Sequence, residues 1–170
     1  MLDVIKNRRS IRSYIDKSVE ENKIIEILKS AMQAPSSKNS QPWEFVIVDD
    51  KEILSQLSKV QHRAKHIKEA PICIAVLGNK NRFLKAGKWM QDLGASTENL
   101  LLEATNQGLA SCWTGVFPKN KVVNKVKITL DLPGNLVPYA LISIGYTNEE
   151  NEYIDRFDKK KVHRNRFKNT

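Results

Sequence analysis

The sequence predicts a mixed α and β domain in which a central sheet lies between helices. Three observations carry this. Short apolar runs, WEFVIV at 43–48, PICIAVL at 71–77 and VPYALISI at 137–144, have the length and composition of buried strands. The longer segments between them repeat apolar residues at helical spacing. The 170 residues, 41% of them hydrophobic, suffice for one sizeable core, and no repeat, low-complexity linker or composition break divides residues 1–170 into more than a single domain.

Taken in order, residues 2–8 read as a short helix. Ser18 and Glu21 form an S-x-x-E capping box, followed by Ile24, Ile27, Leu28, Ala31 and Met32 on one helical face. That helix must end near Ala34, because Pro35 disfavours helix in the residue before it. After the strand at 43–48, Lys51 to Val60 is helical, with Ile53, Leu54, Leu57 and Val60 together. Beyond the strand at 71–77, residues 86–107 form the longest helix, its buried stripe running from Trp89 through Leu93, Thr97 and Leu100 to Ala104, with Gly108 as its stop. Ala110 to Trp113 is a short third strand, Lys119 to Lys127 a short helix carrying Val122, Val123 and Val126, and Leu132-Pro133-Gly134-Asn135 a turn before the strand at 137–144. The last twenty-odd residues are polar, basic and dotted with aromatics.

Composition excludes several classes. No window approaches the length of apolar chain that spans a bilayer, and the start, MLDVIKNRRS, lacks the apolar core of a signal peptide. Cys73 and Cys112 are too few for a disulfide framework, and each reads as a small core hydrophobe in a reducing cytoplasm. The net charge of +9 is concentrated at the ends: residues 1–12 carry +3, residues 151–170 carry +4, and the 138 residues between carry +2. A nucleic-acid binder has this composition. So has a protein whose two ends meet around a small anion.

Four stretches are candidates for chemistry. RRSIRSY at 8–14 sets Arg8, Arg9, Ser10 and Arg12 within five residues, and guanidinium forks suit phosphate oxygens; a solvated basic turn would look the same. The loop APSSKNSQP at 34–42 is bracketed by Pro35 and Pro42, and its Asn and Gln side chains offer both donors and acceptors to a heterocycle edge; a plain helix-to-strand connector would also explain it. In GLASCWTGVFP at 108–118, Trp113 and Thr114 precede Gly115, which either lets a flat ligand approach the backbone or marks a bulge. DRFDKKKVHRNRF at 155–167 is a solvated basic face, unless Phe157, Val162 and Phe167 pack it onto something. His62 and His66, four apart, lack a third metal ligand and read as exposed helix histidines. There is no G-x-G-x-x-G, Walker A or G-x-S-x-G motif.

In this order the segments resemble the nitroreductase family of FMN-dependent oxidoreductases over nearly the whole chain. The resemblance rests on RRSIR at 8–12, APSSKNSQPW at 34–43, EFVIV, APICIAV at 70–76, the helix with Asp92, Ser96 and Asn99, GLASCWTG at 108–115, LISIGY at 141–146 and RFDKKKVHRNRF at 156–167. RRS-x-R followed by PSS-x-N-x-QPW is its strongest part. It implies an α+β nitroreductase-like fold, with a central, mostly antiparallel sheet flanked by helices, assembled as a homodimer with FMN between the subunits.

By position, the resemblance assigns Arg8, Arg9, Ser10 and Arg12 to the flavin. Arg8 and Ser10 lie toward the phosphate and ribityl chain, Arg12 toward the pyrimidine edge, where a cation stabilises the charge that develops on reduction. Pro35, Ser36, Ser37, Asn39 and Gln41 would line the flavin from the other subunit, Trp113, Thr114 and Gly115 would pass by the ring, and Arg156 would reach the phosphate. NADH or NADPH would pass hydride to the flavin and leave, and a small-molecule electron acceptor such as a nitroaromatic or a quinone would take its place, with no dedicated acid–base residue and no metal. Only about eight residues join Leu77 to Ala86, which predicts an open pocket. Nothing in the sequence separates NADH from NADPH. A flavin-binding module without turnover, a relative that consumes flavin or uses it with oxygen, and a basic nucleic-acid binder are the competing readings; the resemblance itself implies neither nucleic acid nor membrane as partner.

Overall fold

The computed structural model describes residues 1–83, 87–150 and 152–167. Helix α1 spans Asp3–Asn7 and α2 spans Glu21–Met32. The anticipated capping box at the start of α2 does not form. Glu21 is the first helical residue rather than the third, because the chain is still extended at Glu20 and Val19 is spent on the core. Glu20 is engaged by Tyr146 instead, whose hydroxyl donates to its carboxylate at 2.6 Å.

The strands β1 (Trp43–Val48), β2 (Ile72–Asn79), β3 (Ala110–Gly115) and β4 (Leu136–Gly145) form one sheet in the order β1-β2-β4-β3, with every neighbouring pair antiparallel. Helix α4 (Trp89–Asn106) packs with α2 over one face, against Ile72, Ile74, Val76, Ala140, Ile142 and Ile144. Helices α3 (Lys51–Ser58) and α5 (Asn120–Thr129) cover the other, against Cys73, Ala75, Leu77 and Leu141. Burial on both faces is why β2 and β4 read as unbroken apolar runs. Each fully buried Leu or Ile contributes about 1.5–3 kcal/mol over exposure, so the paired centre of this sheet is the frame on which the site stands.

Between α3 and β2 runs a 3-10 helix, His62–Glu69. Its period of three sorts the side chains onto three faces. Ala64 and Ile67, with Ala70 following, are buried in the core. His62, Lys65 and Lys68 are exposed on a second face, and Arg63, His66 and Glu69 share the third. The expected exposed pair of histidines is therefore corrected: His62 is exposed, but His66 is 8% exposed and lies on a different face.

The short passage from β2 to α4 is closed by aromatic packing. Phe83 stacks on Trp89 at 4.4 Å and rests on Gly78, where a Cβ would come within 2.8 Å of the Phe83 ring. The long helix anticipated from residue 86 begins at Trp89, and Ala86 itself lies outside the described residues.

Candidate functional site

The segment after α1 is fastened to the sheet. Ser10 pairs with Ser111 in a single parallel bridge, and the Ile11 N–H donates to the Ser111 carbonyl at 3.0 Å. The Tyr14 hydroxyl lies 2.9 Å from the Ile11 carbonyl and 2.7 Å from Ser143 Oγ. Burial, opposed by the Ser143 bond, raises the Tyr14 pKa well above that of a free phenol, so the hydroxyl stays protonated and can donate. These bonds hold Arg12 beside β3.

Arg12 there lines a cleft of about 280 Å3 whose floor is Cys112, Trp113, Thr114 and Gly115. Gln61, Arg63, Phe117 and Lys119 complete its lining. The Gln61 amide donates to the Gly115 carbonyl at 2.7 Å. Arg12, Arg63 and Lys119 give the cleft three cations, and its lining contains no carboxylate. Gly115 pairs in register with Ala140, and the bulge falls just after it, where the Val116 and Phe117 N–H groups both donate to the Tyr139 carbonyl. A Cβ at Gly115 would meet no atom within 4 Å. The chain's own packing thus does not require glycine here, and the backbone lies open to whatever enters.

Besides Tyr14, Cys112 and His66 stand near Arg12. Burial raises the Cys112 thiol pKa, with Arg12 opposing, while burial pushes Cys73 up to about 12; both are free, buried thiols and fit the expected core role. His66 has a depressed pKa, first through burial and then through Arg12, and its Nε2 has no hydrogen-bond partner among the described residues.

The loop at 34–42 is more constrained than its two prolines imply. Lys38, Asn39 and Gln41 hold φ of 50°, 54° and 46°, the left-handed region that side chains seldom adopt. The Ser37 N–H donates to buried Asp92 Oδ1 at 3.0 Å, the Gln41 N–H donates to Ser36 Oγ at 3.0 Å, and the Gln41 amide donates to Asn39 Oδ1 at 3.1 Å. Pro35, Asn39 and Gln41 are exposed, Ser36 and Ser37 half-buried, and none of the five lines the Arg12 cleft.

The two basic ends adjoin, as the charge distribution anticipates. The Arg9 guanidinium donates to the carbonyls of Lys6, Arg8 and Glu152, the last at 2.6 Å, and Arg9 and Arg156 line one groove beside α1. Arg8 pairs with Glu98 of α4 at 3.5 Å. The tail aromatics stay largely exposed, Phe157 and Phe167 at 75% each, although the Phe167 ring lies 4.2 Å from that of His163.

Within one chain, then, Arg12 meets Trp113, Thr114 and Gly115, whereas the 34–42 loop, Arg8, Arg9 and Arg156 lie elsewhere. Gln61, Arg63 and Lys119 are cleft residues that the sequence reading missed. The apolar spacing of three in Ala64, Ile67 and Ala70 was the available signal for the 3-10 helix that carries Arg63. Among the described residues no cluster of three or more His, Cys, Asp or Glu could hold a metal ion, and no helix is long and apolar enough to cross a membrane.

Fold and cleft define the class first: an α+β protein with a concave, cationic cleft against the end of one strand. The profile of the Nitroreductase family matches residues 5–71 and 55–146. A Clostridium acetobutylicum protein provisionally named an NADH oxidase superposes with a TM-score of 0.94 at 42% identity, over 97% of this chain and 100% of that one. An FMN-dependent nitroreductase from Clostridium difficile superposes at 0.90 with 36% identity, over 98% of this chain and 100% of that one. An Archaeoglobus fulgidus protein provisionally named NADH dehydrogenase/NAD(P)H nitroreductase is 36% identical, over 98% of each chain. This chain belongs to the nitroreductase family of oxidoreductases.

Proposed function

We propose that the protein is an FMN-dependent oxidoreductase that moves hydride from NADH or NADPH to a small-molecule electron acceptor such as a nitroaromatic or a quinone. The observation that carries this is the meeting of Arg12 with Trp113, Thr114 and Gly115 in a cleft of three cations and no carboxylate. That donor set fits a flavin: cations suit the oxygens of its pyrimidine edge, and bare backbone at Gly115 suits a flat ring. When bound, FMN supplies hydride acceptance from the nicotinamide and electron delivery to an acceptor that uses the same place in turn. Arg12, Arg63 and Lys119 supply a positive field where negative charge develops. Gln61 fixes the Gly115 carbonyl, and thereby the backbone that the ring would face.

The site needs a second copy. Pro35, Ser36, Ser37, Asn39 and Gln41 form a constrained polar wall that lines no cleft with Arg12 of its own chain, so we assign it to the flavin of a partner subunit. The exposed apolar tail, including Tyr153, Ile154 and Phe157, gives a homodimer further surface to bury. Arg8, Ser10 and Arg156, with Arg9 bracing the two ends, are assigned to the phosphate. The Arg8–Glu98 pair is partly exposed and worth about 0–1 kcal/mol, so a dianion can displace it. Two free cysteines fit a reducing cytoplasm.

Titration with FMN tests the assignment. Arg12→Ala, Arg8→Ala and Arg156→Ala should each weaken binding by about 1.5–3 kcal/mol, and sedimentation should find two chains per particle. Undiminished affinity in all three variants, or a monomer that binds FMN fully, contradicts it.

A further inference from the structure

Beside the Arg12 cleft lies a second, wider concavity of about 610 Å3, lined by His62, Lys65 and Lys68 of the 3-10 helix, Lys59 after α3, and Lys125 of α5. Gln61 lines both, so it forms the ridge between them. The groove has the volume of a small-molecule site.

Its charge is uncompensated. No ammonium group of the four lysines makes a hydrogen bond or ion pair with a described residue, and no carboxylate lines the groove. Lys59 has a local explanation, since it caps the C-terminal end of α3, where a cation complements the helix dipole. Lys65, Lys68 and Lys125 have none. The first two, with His62, share a face only because the segment is a 3-10 helix, in which residues three apart eclipse. Runs of this helix longer than three or four residues are uncommon, and this one extends over eight. It directs Arg63 to the cleft and the His62, Lys65, Lys68 row to the groove.

We infer that this groove receives the phosphate-bearing adenosine end of the nicotinamide coenzyme and selects NADPH over NADH through the 2′-phosphate. The inference rests on the proposed hydride transfer at the neighbouring cleft. A ligand that reacts in the cleft and extends over Gln61 brings its phosphates onto the lysine row. Lys ammonium groups act as point charges for phosphate, and a compact dianion such as the 2′-phosphate gains most from several at once.

The test is calorimetric titration of the purified full-length protein with adenosine 2′,5′-bisphosphate and with 5′-AMP, which reads the groove whether or not flavin is bound. The wild type should bind the bisphosphate at least about tenfold more tightly, the worth of one good charge-assisted bond. Lys65→Glu combined with Lys125→Glu should abolish that preference, and the milder Lys65→Ala with Lys68→Ala should reduce it. Steady-state kinetics should show a matching rise in KM for NADPH with that for NADH little changed. Equal binding of the two nucleotides by the wild type, or a preference that survives the Glu pair, overturns the inference. Flavin content and NADH turnover report separately on the cleft: a protein that fails those yet prefers the bisphosphate would refute the proposed chemistry, and with it the coenzyme as ligand, and leave the lysine row a 2′-phosphate site.

Discussion

The Gln61 side chain donates to the Gly115 carbonyl at 2.7 Å, tying the approach to the 3-10 helix onto the last residue of β3. This one bond sets the wall of the Arg12 cleft and the ridge of the lysine groove. It also fixes backbone at a glycine whose own chain leaves the Cβ direction open.

Replacement of Gly115 therefore separates fold from function. Gly115→Ala places a methyl group where no atom lies within 4 Å, at a residue outside the left-handed region. Its unfolding free energy should stay within about 0.5–1 kcal/mol of wild type, while FMN affinity should fall clearly. Denaturant unfolding and FMN titration on the same preparation check both; full FMN affinity would remove Gly115 from the site.

Asp92 is predicted to organise the 34–42 loop from beneath. Asp92→Ala leaves the Ser37 N–H without its acceptor and should destabilise the protein by about 1–3 kcal/mol. Asp92→Asn keeps a carbonyl oxygen there and should lose less. If the loop lines a partner's flavin, both variants should weaken FMN binding in the same order, measured by flavin fluorescence. Identical behaviour of Asn and Ala variants would mean that the Ser37 bond is not what Asp92 contributes.

His66 makes stability depend on pH. Its folded pKa lies below the ordinary value, mainly through burial and then through Arg12, with Glu69 opposing. The unfolded chain therefore takes up the proton first as pH falls. The contribution is fully present above about pH 6.5, the free histidine value, and is lost progressively below it. Urea unfolding midpoints should decline from pH 8 to pH 5.5, and His66→Leu should flatten that decline. An equal slope in the variant would show that other groups carry it.

Much of the fold was legible because it follows from burial. PICIAVL and VPYALISI read as strands because helices cover both faces of the sheet centre, WEFVIV as its more exposed edge, and Leu93, Leu100 and Ala104 mark α4 because one stripe of it meets that sheet. The 3-10 helix was not legible by a search for periods of two or 3.6, since Ala64, Ile67 and Ala70 repeat every three. The capping box failed because tertiary burial of Val19 delayed the start of α2. In the candidate site, Arg12 and Trp113 to Gly115 were readable as local stretches. Gln61, Arg63 and Lys119 were not, because they reach the cleft from separate elements that only the folded sheet brings near.

The most direct test of the central claim is the visible absorption spectrum of the purified protein, recorded anaerobically before and after addition of NADH and then of NADPH. The account predicts a yellow protein whose flavin bands bleach on addition of reduced nicotinamide. A yellow protein that neither coenzyme bleaches would contradict the proposed hydride transfer and leave a flavin-binding module. A colourless protein that cannot be reconstituted with FMN would contradict the account at its root.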